Sequence, residues 1–157
     1  MHSRYDEIQE ILDNFKEQLP ESDLSAEASE NKEWPRQVIL AETFIHDHLY
    51  DDRLTVGWLK EKCRINGKNF AARFRRCTGY HPKEYILHYR LKAGKRLLNQ
   101  SKVSITEIAL AVGFRSVSSF CKTFKKREDL RPSEWQSKNQ TQNKIQDIFQ
   151  DRIQARK

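Results

Sequence analysis

The segment Phe70-Ala71-Ala72-Arg73-Phe74-Arg75-Arg76 recurs fifty residues later as Phe120-Cys121-Lys122-Thr123-Phe124-Lys125-Lys126. The correspondence continues downstream, where Pro82 matches Pro132. Each copy combines two phenylalanines four residues apart with several basic residues, which is typical of a helix with one apolar and one basic face. The chain is therefore predicted to contain two similar structural units.

Each copy follows a short apolar segment and a tight turn. Residues 56–63 and 104–112 are predicted to be short helices, with Thr55 capping the first and Ser104 or Thr106 capping the second. Arg64 to Gly67 and Gly113 to Arg115 form the turns, so each unit reads as helix, turn, helix.

A long helix is predicted to join the two units. Pro82 suits the first position of a helix over 82–99, and Gly79 suits the left-handed position that ends the helix before it. An apolar stripe along 82–99 predicts a packed face, which consists of Tyr85, Ile86, Tyr89, Ala93 and Leu97. Since we find no convincing strand, the fold class is predicted to be all-α.

The charge is unevenly distributed. The chain of 157 residues has a formal net charge of +7, whereas residues 1–30 contain nine acidic and two basic residues and carry −7. The remaining residues therefore carry +14, which favours a polyanionic partner such as double-stranded DNA. Helical angles place Lys68, Ala72, Arg75 and Arg76 opposite Phe70, and place Ser118, Ser119, Lys122, Lys125 and Lys126 opposite Phe120.

The repeated units resemble the DNA-binding domain of the AraC/XylS family of bacterial transcription regulators. The most specific match is Ser104-Ile105-Thr106-Glu107-Ile108-Ala109-Leu110-Ala111-Val112-Gly113-Phe114, followed by Phe120, Phe124 and Pro132. The resemblance implies a domain over 35–137, with a first helix-turn-helix at 55–79, a linker helix at 82–99 and a second helix-turn-helix at 104–127. It implies a sequence-specific regulator whose two recognition helices enter adjacent major grooves.

The same resemblance implies which residues contact DNA. The expected base contacts are Lys68, Asn69, Ala71, Ala72, Arg115, Val117, Ser118, Ser119 and Lys122. The expected phosphate contacts are Arg75, Arg76, Lys125 and Lys126. Base contacts select sequence, whereas phosphate contacts position the protein.

Two departures from the family pattern concern stability. Gly94 stands inside the linker helix where Ala is usual, which costs about 1 kcal/mol of helix propensity. Asp129 stands where Gly is usual, and it adopts the left-handed conformation less easily.

The segments outside 35–137 leave several alternatives. Residues 1–34 are predicted to form an acidic helix at 4–19 and a polar linker, too short for a ligand-binding barrel, so the chain resembles stand-alone members or the output half of something larger. The helix could form a homodimer, contact RNA polymerase, or fold back over the basic faces. Residues 138–157 are predicted to be a polar tail in which a C-terminal helix is marginal.

Other functional classes have less support. A DNA-coating, nucleoid-like protein is the alternative, and an enzyme is not expected, because the five histidines and three cysteines form no catalytic or metal-binding pattern. We therefore expect no cofactor and no metal. Because the sequence has no long apolar segment, we expect neither a signal peptide nor a membrane span. We expect a cytoplasmic, nucleoid-associated location.

Overall fold

The computed structural model describes residues 4–18, 34–100 and 103–155, and these residues form eight α-helices without a β-strand. The helices are α1 (Arg4–Gln18), α2 (Arg36–His48), α3 (Val56–Lys62), α4 (Phe70–Thr78), α5 (Pro82–Gln100), α6 (Ile105–Ala111), α7 (Val117–Glu128) and α8 (Pro132–Gln154). The all-α prediction is confirmed. The predicted polar linker at 21–31 lies outside the described residues.

The first helix-turn-helix is formed by α3 and α4. Thr55 caps α3, since its hydroxyl accepts a hydrogen bond from the Trp58 backbone N–H at 3.1 Å. Gly79 ends α4 with φ of 85° and donates its N–H to the Arg75 carbonyl. The predicted start of α3 at Thr55 and the predicted end of α4 at Gly79 are therefore both confirmed. However, the turn predicted to end at Gly67 continues through Asn69, so α4 begins at Phe70; Gly67 itself has a φ of 129°.

The second helix-turn-helix is formed by α6 and α7. Ser104, rather than Thr106, caps α6: its side chain accepts from the Glu107 backbone N–H, and the Glu107 carboxylate accepts from the Ser104 backbone N–H. This reciprocal pair is a capping box. At the other end of the unit, α7 terminates at Asp129, which adopts the left-handed conformation expected there, with φ of 59°.

The linker helix α5 is the centre of the fold. It packs against α1, α4, α6 and α8. Its predicted apolar stripe is confirmed, since all five side chains are buried. The packing of α7 explains why Gly stands at position 94. A Cβ added to Gly94 would lie 3.1 Å from the Phe120 ring, so the missing side chain lets α7 approach α5 closely.

A buried arginine of α5 connects the two units. The Arg90 guanidinium donates to the carbonyl of Leu49 through Nε (2.7 Å) and to that of Asp51 through Nη2 (2.8 Å), both just after α2. Gly113, in the turn of the second unit, lies directly over this guanidinium, because a Cβ on Gly113 would be 2.8 Å from Arg90 Nε. No local pattern in the sequence points to this role of Arg90.

The acidic helix α1 is packed against the body of the protein. Its apolar residues Ile8, Leu12 and Phe15 are buried, and Arg96 of α5 lies over the Phe15 ring. The apolar face of α1, by which the predicted helix at 4–19 could form a homodimer, is therefore already used within the chain over the described residues.

The final helix includes most of the predicted polar tail. A C-terminal helix over 138–157 is marginal by sequence, and α8 runs without interruption from Pro132 to Gln154. Residues 136–154 contain neither Gly nor Pro, so nothing in the local sequence breaks the helix. The expected boundary between 137 and 138 therefore falls inside a helix.

Candidate nucleic-acid interface

The first candidate recognition helix, α4, has the polarity that its sequence predicts. Phe70 and Phe74 are buried and face α2 and α5. The exposed residues include Ala71, Ala72, Arg75 and Arg76. Arg73 is exposed as well, although its helical angle lies near that of the buried Phe70 and it is not among the expected contacts.

Two expected base contacts precede α4 instead of lying on it. Lys68 and Asn69 are exposed in the turn. Asn69 occupies the N-cap position, where its carbonyl accepts from the Arg73 backbone N–H and its side chain makes no capping hydrogen bond. The amide of Asn69 is therefore presented at the leading end of the helix.

The second candidate recognition helix, α7, shows the same arrangement. Phe120 and Phe124 are fully buried, while Ser118, Ser119 and Lys122 are exposed. Lys125 and Lys126 are exposed further along. Thus an apolar pair anchors each helix and leaves a polar and basic face outward.

The first turn of α7 is held by serine. The Ser116 hydroxyl accepts from the Ser119 backbone N–H at 3.2 Å and also contacts the Ser119 hydroxyl. Ser119 thus combines a capping contact with an exposed position. Val117 is half-buried and packs against the core, so it offers less surface than the neighbouring Ser118.

Arg115 lies at the junction between the units. Its Nε donates to the Asp52 carbonyl at 3.2 Å, across 63 positions of sequence, and its side chain is exposed. Since Asp52 belongs to the loop between α2 and α3, this expected base contact also joins the turn of the second unit to the first unit.

The cations assigned to phosphate are largely free of acidic partners. The Arg75 guanidinium contacts the His81 imidazole at 3.5 Å, and in the described part of the chain no acidic side chain pairs with Arg76, Lys125 or Lys126. Glu128, the acidic residue at the end of α7, is instead paired with Lys95 of α5. The exposed faces therefore keep their positive charge for a polyanion.

A basic groove of about 600 Å³ lies between the start of α5 and α7. Lys122 and Lys126 line one side, together with Arg127, while Lys83 and the single acidic residue Glu84 line the other. Lys83 and Arg127 are not among the expected contacts, because Lys83 belongs to the linker helix and Arg127 lies close in helical angle to the buried Phe120. Their basic character was the only available signal.

Other kinds of site find little support in the described residues. They contain no group of histidine, cysteine and carboxylate side chains that could hold a metal ion. Nor does any described helix have the length and apolar character that a membrane span requires.

This arrangement, with two helix-turn-helix units on one linker helix, is found in known DNA-binding domains. A family model described as a helix-turn-helix domain matches residues 60–138, half of the chain. The C-terminal domain of the two-component response regulator yesN from Fusobacterium nucleatum is similar in structure, with a TM-score of 0.58 and 28% identity over 62% of this chain and 95% of that one. The DNA-binding domain of AdpA, solved in complex with a target DNA, has a TM-score of 0.62 over 68% of this chain and 95% of that one; at 24% identity this likeness shows the fold alone.

The chain belongs to the AraC/XylS family of transcription regulators. Among the curated relatives, the Msm operon regulatory protein of Streptococcus mutans is 32% identical over 85% of this chain and 47% of its own length. The chain spans between about a quarter and a half of the length of the first relatives that it matches.

Proposed function

We propose that the chain is a sequence-specific DNA-binding regulator whose helices α4 and α7 enter adjacent major grooves on one side of the duplex. The observation that supports this most strongly is the paired exposure: both helices bury two phenylalanines and present a polar and basic face. One such helix could be an ordinary solvated surface. Two copies held by one rigid linker favour a protein in which both helices contact DNA.

The length of α5 agrees with this proposal. Its 19 residues span about 28 Å at 1.5 Å per residue. Successive major grooves on one face of B-DNA are about 34 Å apart. A helix of this length, with Arg90 and Arg115 joining the two units, would hold both recognition helices without the loss of effective concentration that a flexible linker brings.

The proposed contacts divide into two sets. Lys68, Asn69, Ala71 and Ala72, together with Arg115, Val117, Ser118, Ser119 and Lys122, would contact bases. Arg75, Arg76, Lys125 and Lys126 would contact phosphates, and the basic groove lined by Lys83 and Arg127 would follow the backbone between the two major grooves. Ala72 can make only an apolar contact, for instance with a thymine methyl group.

Selection of bound sequences from random DNA, followed by footprinting, tests the proposal. A regulator should prefer the selected site over random DNA by about 10³ or more at physiological salt. A ratio near one would contradict it and would favour the alternative, a nucleoid-like protein that coats DNA.

Paired substitutions test the division into two sets. Lys122→Ala should reduce the preference for the selected site by roughly 1–3 kcal/mol, because a base contact is lost. Lys125→Ala should weaken selected and random DNA about equally, since a phosphate contact reads no sequence. Equal losses of preference in both variants would reject the assignment.

The acidic face of α1 is our proposed surface for RNA polymerase. Glu7, Glu10 and Glu17 remain exposed although the apolar face of α1 is buried. Reversal of these charges should change transcription in a purified system and leave operator affinity unaltered. The proposed place of action is the bacterial cytoplasm, at the nucleoid.

A further inference from the structure

The second half of α8 extends beyond the body of the protein. Its first turns are packed: Trp135 contacts the Phe124 ring, and the Gln136 amide donates to the Leu98 carbonyl. From residue 140 to residue 155, by contrast, every side chain is exposed. About 22 Å of helix therefore carries only exposed side chains.

This projecting segment carries an uncovered apolar stripe. Ile145, Ile148, Phe149 and Ile153 are 49–62% exposed. At 100° per residue they fall within an arc of about 140° on one side of the helix. Arg152 lies within the same arc, so the stripe is apolar except for one basic side chain, and an exposed apolar stripe is typical of a surface that a partner covers.

The charges beside the stripe identify a suitable partner. Lys144 and Asp151 lie on the same edge of the stripe, seven residues apart, while the other edge has the uncharged Gln146 and Gln150. In an antiparallel pair related by a two-fold axis, each edge meets the same edge of the other copy. Lys144 would then face Asp151 of the second copy, twice, whereas a parallel pair would place this charged edge against amides.

We propose that the stripe on α8 is a homodimer interface, and that its occupant is the same segment of a second copy in antiparallel orientation. The interface is isologous, as most homodimer interfaces are. Because the segment projects away from the body, two copies can pair without moving any helix that contacts the core. The dimer presents two double helix-turn-helix units related by a two-fold axis, which suits an operator with inverted half-sites.

Sedimentation velocity of the full chain without DNA tests the interface independently of DNA recognition. The wild type should form a dimer as the concentration rises through the micromolar range, and Ile148→Asp should remain a monomer. Ile39→Asp is the matched control, since Ile39 is 48% exposed on α2, outside the stripe, and this variant should still dimerise. A wild type that is monomeric at all concentrations, or equal losses in both variants, would overturn the proposal.

A charge exchange tests the antiparallel orientation. It also distinguishes a lost ion pair from unfolding of the helix, since an unfolded helix would not regain dimerisation. Lys144→Glu should weaken dimerisation at least about threefold, because it places Glu opposite Asp151. The double variant Lys144→Glu with Asp151→Lys should restore the wild-type dissociation constant. Weakening by the single change without restoration by the double one would reject the antiparallel pair.

Discussion

At the residue scale, Arg90 shows how one buried side chain stabilises two units. Burial lowers the pKa of its guanidinium to about 10, which leaves it charged at neutral pH. This charge is compensated by the carbonyls of Leu49 and Asp51. The contact therefore depends on a cation with two donors in a fixed plane, and lysine could not replace it without loss.

Arg90→Ala should lower the free energy of unfolding by roughly 2–4 kcal/mol, because two hydrogen bonds from a charged group are lost and two carbonyls lose their partner. Urea unfolding measures this change. Arg53→Ala is the control: the Arg53 side chain is exposed in its ion pair with Asp51, and its removal should cost much less than the loss of Arg90. Similar losses in the two variants would show that the Arg90 contacts contribute little.

His46 gives a second prediction at this scale. The Tyr85 hydroxyl donates to Glu42 Oε1 at 3.0 Å, so its oxygen can accept from His46 Nε2 at 2.9 Å. Burial lowers the pKa of His46 below its ordinary value of 6.5. The folded state therefore favours the neutral imidazole, and the resulting stability is complete above pH 6.5 and is lost as the pH falls toward the lower pKa of the folded state.

We expect the wild type to lose more stability than His46→Gln when the pH falls from 7.5 to 5.5. Burial also raises the pKa of Glu42, which acts in the opposite direction, and the comparison cancels that effect because Glu42 is present in both proteins. Urea midpoints at several pH values measure the difference. Identical pH profiles would exclude His46 as the titrating group.

At the element scale, the contact between α5 and α7 depends on a missing side chain. Gly94 places the backbone of α5 against the Phe120 ring, so the cost in helix propensity is offset by close packing. The second recognition helix is thereby positioned directly by the linker helix.

Gly94→Leu should destabilise the protein by roughly 1–3 kcal/mol, because the added side chain forces α7 away from α5. Gly57→Leu is the matched control: Gly57 lies exposed in α3, a Cβ there would be 3.9 Å from Thr55 Oγ1, and helix propensity should make the change neutral or slightly stabilising. Thermal unfolding of both variants measures the contrast. A stabilising Gly94→Leu would show that Phe120 can move aside at no cost.

At the scale of the whole molecule, the separation of charge is the main feature. The acidic side chains of α1 lie on a helix packed against α5, while the basic faces of α4 and α7 are presented outward. A polyanion therefore meets positive charge on both recognition helices.

The affinity for DNA should fall steeply with salt. Four phosphate contacts predict a slope of about −4 in a plot of log affinity against log salt concentration. Arg75→Ala should make that slope shallower by about one, whereas Lys16→Ala on α1 should leave it unchanged. Fluorescence anisotropy at several salt concentrations measures the slopes, and a wild-type slope near zero would argue against phosphate neutralisation.

Local features of the fold could be predicted from the sequence alone. The cap at Thr55, a cap at Ser104 or Thr106, the left-handed position at Gly79, and the polarity of α4 and α7 all follow from patterns within a few residues. The left-handed position at Asp129 follows from the family resemblance. Helix periodicity and capping chemistry act over that range, so one chain suffices to read them. The duplication itself is likewise a property of sequence.

Contacts between distant residues were decided by the tertiary structure. Arg90 meets Leu49 across 41 positions and Arg115 meets Asp52 across 63, and neither pair forms a local pattern. The same holds for the close approach at Gly94 and for the basic groove between α5 and α7, because packing alone brings their members together. The sequence determined which surfaces are apolar or charged, and the tertiary structure determined which of them are covered, since burial depends on what lies opposite.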